Sequence, residues 1–378
     1  MGDANSIGTT ARYTSLDGLR GMAALVVLVH HCFLISPQLS AAVDSNATGP
    51  FEAWVWWITF TPLHLIWAGQ EAVIVFFILS GFVLTMPFVR SHRPSWRAYY
   101  PKRMIRIYLP VWASLVFALL MAWMIPRVAN PDLSSWVNLH DEAPTVVADA
   151  FLLRGAGSLN SPLWSLQWEM QFSIVLPLYV VLALRFRRAW LPCLVGLFLL
   201  VAGGNIIYSP LPLFMPMFGI GVLMAERRDV LERWGLALKF WGWAGLLGLS
   251  MVLLCSRWLF PQLPGVISLA AIGGALLLFA FIACRSAISL GNNSLVQWLG
   301  TRSFSLYLVH EPIVVSVVFS LHATNPFQVL VIAMPFSLLV AEIFFRLVER
   351  PSRRLAGAAG MAFTERVRSA SEETIAPD

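Results

Sequence analysis

Apolar residues in this chain fall in long runs, each bounded by arginine, proline or a polar turn. A helix that crosses a bilayer needs about 20 predominantly apolar residues. Ten runs approach that length: 19–36, 70–89, 107–125, 163–184, 189–207, 209–225, 240–256, 264–284, 303–321 and 327–346. The pattern predicts an all-α integral membrane protein, a bundle of about ten transmembrane helices. Residues 53–67 are apolar and rich in tryptophan, but they are short and broken by Pro62. They read as an interfacial or re-entrant segment. Residues 126–162 form the longest connection. The chain divides into a membrane domain, 1–351, and a tail, 352–378, whose Ser, Ala and Glu predict a mobile cytosolic segment.

Composition agrees. Of the 378 residues, 58% are hydrophobic and 12% charged, with a mean hydropathy of +0.72. A soluble domain is nearer half apolar and about a quarter charged, and a larger core cannot absorb the difference. Soluble enzymes, disordered proteins and disulfide scaffolds are poor readings. The net charge of +6 has a topological explanation. With an even number of spans both termini share a side, and all of the 26 basic residues except Arg127, Arg154 and Arg257 fall on it. The positive-inside rule makes that side the cytoplasm. The leader lacks a positive n-region, so the first span is expected to be retained. Arginine far exceeds lysine, a hint of a bacterial inner membrane. Cys32, Cys193, Cys255 and Cys284 lie inside apolar runs without metal or redox spacing, and no metal site is expected.

Ionisable residues within spans are costly and so point to function. In the first span Arg20 and His31 are 11 residues apart, about three turns and roughly 16 Å, so both face one stripe. His30 is rotated about 100° away and is the weaker candidate. The fourth span carries Trp164, Ser165, Gln167 and Glu169 in its first turns. The ninth runs from Arg302 through Tyr307 to His310 and Glu311, roughly 12–14 Å along the helix. The depths predict that His31, His310, Glu311 and Glu169 meet in one internal cavity. Glu71 and the i,i+4 pair Glu342–Arg346 read as structural, and His64, His92, His140 and His322 as loop or interface residues.

Six segments occur in order: Leu16-Asp17-Gly18-Leu19-Arg20-Gly21 with His31; Phe76-Phe77-Ile78-Leu79-Ser80-Gly81-Phe82; Lys102-Arg103-Met104-Ile105-Arg106-Ile107-Tyr108-Leu109-Pro110; Leu163-Trp164-Ser165-Leu166-Gln167-Trp168-Glu169 with Phe172; Ser303-Phe304-Ser305-Leu306-Tyr307-Leu308-Val309-His310; and Glu349-Arg350-Pro351. In this series the chain resembles the acyltransferase 3 family, membrane-embedded O-acyltransferases that use acyl-CoA. Three positions depart from the family pattern. Glu71 shifts the usual acidic approach to the second span, Lys102 stands where Arg is common, and Glu311 follows His310 where an aromatic is frequent.

The resemblance implies transfer of an acyl group, in the first instance acetyl, from cytosolic acyl-CoA to a hydroxyl of a surface or exported polysaccharide. Arg20, Arg103 and Arg106, with Lys102 beside them, would hold the donor's phosphates. His31 would be the general base, with Glu169 and His310 as its catalytic partners. Trp164, Ser165, Tyr307 and Glu311 would contact the acceptor. Two other readings stand beside this one. The acceptor could be a small molecule such as a macrolide or a glycolipid, or the buried His and Glu could relay protons in a coupled transporter.

Overall fold

The computed structural model describes residues 13–43, 50–90, 96–139, 146–153 and 157–373. Arg12, Arg93, Arg154, His92 and His140 lie outside them. The described residues form helices joined by turns and short loops, without a strand. The principal helices are α1 (Thr14–Phe33), α2 (Gly69–Arg90), α3 (Trp96–Met124), α4 (Leu163–Arg185), α5 (Trp190–Ile206), α6 (Pro210–Glu226), α7 (Phe240–Leu254), α8 (Ile267–Ala283), α9 (Ser294–Leu321), α10 (Pro326–Phe344) and α11 (Arg350–Glu373).

Among the described residues, seven helical stretches are long and apolar enough to cross a membrane. An eighth is gained if α8 and the short helix Arg285–Gly291, bent from it by 87°, count as one span. The sequence counts α6 and α7 as full spans, but they hold only 17 and 15 residues. α6 is short because Pro210 starts it and Arg227 follows its last residue. Its second half, Pro216–Glu226, is buried without interruption. The segment 53–67 forms two short helices, Ala53–Thr59 and Pro62–Ile66, with Pro62 opening the second.

α1 sits at the centre, packed on α9, α2, α8 and α10. Glycines set its closest approach. A Cβ on Gly21 would stand 2.4 Å from the backbone N of Gly300, and one on Gly300 would stand 2.2 Å from the carbonyl oxygen of Asp17. Small residues let two apolar helices touch at backbone distance, which packing in lipid favours. The same device joins α2 to α6 at Gly81 and Gly221. Two apolar cores result. One gathers α1, α3, α9 and α10, and the other gathers α2, α4, α6 and α8.

Most of the tail is helical. α10 does not end in a structureless segment: residues 345–349 widen into a π-turn and the chain continues as α11, which packs along α3. Pro351 has no N–H for the carbonyl one turn earlier, which accounts for a loosened turn just before it. Small residues such as Ala356 and Gly360 let α11 lie close to Lys102. Residues 374–378 lie outside the described residues.

Candidate active site

Two cavities share the Phe77 and Tyr307 side chains as wall. One, about 540 Å³, is lined by His30, His31, Trp136, Ser161, Trp164 and Arg257 among others; we call it the histidine cavity. The other, about 80 Å³, is lined by Arg20, Arg103, Arg106, Ser165, Glu169 and Ser303; we call it the cation cavity. α1 serves both, because Arg20 and His31 share one stripe of the helix three turns apart.

His31, on the wall of the histidine cavity, meets His310 and Glu311 buried behind it, as their depths predict. His31 Nε2 lies 3.2 Å from Glu311 Oε2, and His31 Nδ1 lies 3.1 Å from His310 Nε2. The hydrogen bonds assign the tautomers. His310 Nδ1 is 3.0 Å from the Leu306 carbonyl, which can only accept, so Nδ1 carries the proton and Nε2 accepts. The proton it accepts is the one on His31 Nδ1, which also points at the Val27 carbonyl 2.9 Å away. His31 Nε2 is then the nitrogen that faces the Glu311 carboxylate, and a proton taken up there is shared with it. Glu311 is held by the Ser161 backbone N–H at 2.5 Å and by the Ser161 hydroxyl. His30 is turned aside to the Trp67 carbonyl, 2.9 Å from its Nδ1.

Glu169 does not join this group. It lies in the cation cavity, ion-paired with Arg103, with the Ser80 hydroxyl 3.4 Å from its Oε1. Arg103 is in turn fixed by its Nε–H to Ser173 Oγ at 2.9 Å. Depth along α4 puts Glu169 too near the histidines: Ser161, eight residues earlier, is what meets Glu311, and Ser165 meets Tyr307, so Glu169 lies about two turns below that level. The face of the helix that meets α3 decided its partner, and a full ion pair in an apolar setting outweighs a neutral imidazole.

Tyr307 and Ser165, both read as acceptor contacts, instead hydrogen-bond to each other at 2.6 Å. The Tyr307 hydroxyl also reaches the Pro162 carbonyl at 3.1 Å. Trp164 does line the histidine cavity.

Sequence reasoning missed three participants. Ser161 precedes the fourth motif by two residues and holds Glu311. Arg353, on α11, is close enough to Arg20 and Arg106 for its charge to act on both, and it pairs with Glu349. Glu349 accepts from the Ser305 hydroxyl at 2.5 Å and from the Ser305 N–H at 3.1 Å, which ties α11 to α9. His64 is not an interface residue: it is buried between Trp67 and Trp258, 3.9 Å from Glu71. Burial holds its imidazole well below the usual histidine range, so it is neutral.

Comparison with known proteins places this geometry. The family model described as an acyltransferase domain matches residues 13–346. Acyltransferase MdmB of Streptomyces mycarofaciens is 27% identical over 344 residues, covering 79% of this chain and 78% of that protein. Peptidoglycan O-acetyltransferase OatA of Listeria monocytogenes is 23% identical over 399 residues, 91% of this chain but only 57% of that protein. No solved structure matches. With the match spanning nearly the whole helical bundle and both cavities inside it, the chain belongs to the acyltransferase 3 family and is an acyltransferase.

Proposed function

We propose that this protein moves an acyl group, in the first instance acetyl, from cytosolic acyl-CoA to a hydroxyl of a surface or exported polysaccharide. The observation that carries this is the shared wall: a guanidinium cavity for an anionic donor and an imidazole-lined cavity for a hydroxyl have Phe77 and Tyr307 alone in common among their lining residues. In this reading the Arg20 end of α1 is cytoplasmic, both termini lie on that side of a bacterial inner membrane, and ten spans cross it. The 23 basic residues on that side support the orientation.

The donor's phosphates would meet Arg20, Arg103 and Arg106, and its thin pantetheine arm would carry the thioester toward the wall. The acceptor hydroxyl attacks the thioester carbonyl carbon while its proton passes to His31 Nε2. The C–S bond breaks, and the proton then goes to the departing thiolate to give free CoA. Glu311, 3.2 Å from Nε2, stabilises the imidazolium that forms between the two transfers. His310 fixes the tautomer that leaves Nε2 basic. Glu169 acts through Arg103, as a positioning residue for the donor.

The apolar side chains Val73, Ile74, Leu213, Phe214, Met217 and Ile267 on one side of the histidine cavity favour a second reading, a small amphipathic acceptor. One experiment tests both. Membranes with and without the protein are incubated with labelled acetyl-CoA, and products are identified by mass spectrometry. Label in polysaccharide supports the first reading and label in a small molecule the second. No protein-dependent label at all removes both.

A further inference from the structure

The histidine cavity has one permanently charged side chain among its described lining residues, and it is a cation. Arg257 lines the cavity, and no carboxylate does. Its position is unusual for an arginine of this chain. It stands three residues beyond the end of α7, on the side that 23 of the 26 basic residues avoid. Cations close to that end of a span work against topology. The side chain is also held in place. Its guanidinium lies over the Trp258 ring at 4.9 Å, and one nitrogen donates to Gln70 Oε1. A planar fork fixed on one face by an indole, opening on a low-dielectric cavity, is suited to a carboxylate or phosphate. Such walls also focus its field.

A second cation adds to the same field. Arg127 follows α3, and its Nε and one Nη are buried without a hydrogen-bond partner among the described residues. Its charge is near enough to feel Glu311, which offsets part of the lowering that burial imposes on the guanidinium. Buried, unpartnered donors are costly unless something fills them.

We propose that the acceptor carries an anionic group, a carboxylate or a phosphate, near the hydroxyl that is acylated, and that Arg257 binds it. This rests on the reading of the histidine cavity as the acceptor site. The acceptor is then a sugar acid or a phosphate-bearing sugar rather than a neutral glycan. The cavity of about 540 Å³ holds the group and the reacting hydroxyl together.

The test uses the full-length protein in its native membrane with labelled acetyl-CoA. Labelled product is digested to small fragments and resolved by anion exchange and mass spectrometry. The label is expected on fragments that carry a negative charge. Carbodiimide amidation shifts their elution if the group is a carboxylate, and hydrofluoric acid shifts it if the group is a phosphate. Arg257→Gln is expected to lower labelling about 10- to 100-fold at unchanged KM for acetyl-CoA, while Arg257→Lys retains part of it. Label on neutral fragments overturns the proposal, and so does undiminished labelling by Arg257→Gln. Should that variant fail to insert, the charge of the wild-type product decides alone. Absence of any labelled product would count against the acyl-transfer reading rather than against the anionic acceptor.

Discussion

Tyr307 on α9 and Ser165 on α4 join hydroxyl to hydroxyl at 2.6 Å, and this bond closes the wall between the cation and histidine cavities. Under the proposed mechanism the thioester has to pass it, so the bond opens in each cycle. Under the same mechanism it would also keep water of one cavity out of the other. Tyr307→Phe removes the bond while keeping the ring. The expected outcome is a several-fold rise in acceptor-independent hydrolysis of acetyl-CoA, read as free thiol released without product. A net hydrogen bond of this kind contributes about 1 kcal/mol, or about fivefold.

His31→Ala should abolish transfer, a loss of at least 10²-fold, as expected when a general base is removed. The neighbouring His30→Ala should retain substantial activity, because its imidazole is turned to the Trp67 carbonyl. Transfer from labelled acetyl-CoA in membranes with matched protein levels checks both. Equal activity of His31→Ala and wild type would remove His31 from the reaction.

The donor cations should not behave alike. Arg106→Ala should raise the KM for acetyl-CoA by about 10- to 100-fold, the worth of a charge-assisted contact to phosphate, with folding intact. Arg353→Ala should also lower stability, because it leaves the buried Glu349 carboxylate without its ion-pair partner. Arg103→Ala leaves Glu169 buried without its partner, which costs about 3–5 kcal/mol and should appear as lost protein. Arg103→Ala combined with Glu169→Gln should recover protein but not donor affinity. Steady-state kinetics alongside thermal stability in detergent separates the two effects.

Asp149 supplies a pH dependence. It is buried between α3 and α4, one carboxylate oxygen has no hydrogen-bond partner among the described residues, and burial raises its pKa to about 6 from 3.8. A raised acid favours the folded state only while protonated. Its contribution is therefore full below about 4, falls as pH rises to about 6, and is absent above. Two pKa units correspond to about 3 kcal/mol. Asp149→Asn should flatten this slope and raise the melting temperature at pH 7, measured by thermal unfolding between pH 4 and 8.

Much of the site was legible because helical rise converts sequence spacing to depth. His31 and His310 were matched by counting from Arg20 and Arg302, and they meet at 3.1 Å. Depth says nothing about which face of a helix meets which neighbour. Depth also failed for Glu169: the residue level with Glu311 is Ser161, just before α4, and Glu169, about two turns further along, meets Arg103. Arg353 was missed for another reason. Ser, Ala and Gly beyond Pro351 give no hydrophobic period, yet those small side chains are what let α11 lie along α3. The short spans α6 and α7 were recognised as apolar runs, but only packing shows that α6 is walled in by protein over half its length.

The wall of Phe77 and Tyr307 also has an electrical consequence. If, in the proposed orientation, water from each side filled its own cavity, the membrane voltage would fall mainly across these two side chains rather than across the full hydrocarbon thickness. A unit charge crossing 100 mV does about 2.3 kcal/mol of work. An acyl group carries no charge and passes at no such cost, whereas a carboxylate would meet the whole field in a few ångströms. Under the proposed mechanism, transfer as thioester and ester, never as free acid, would let this enzyme work in an energised membrane without drawing on its potential.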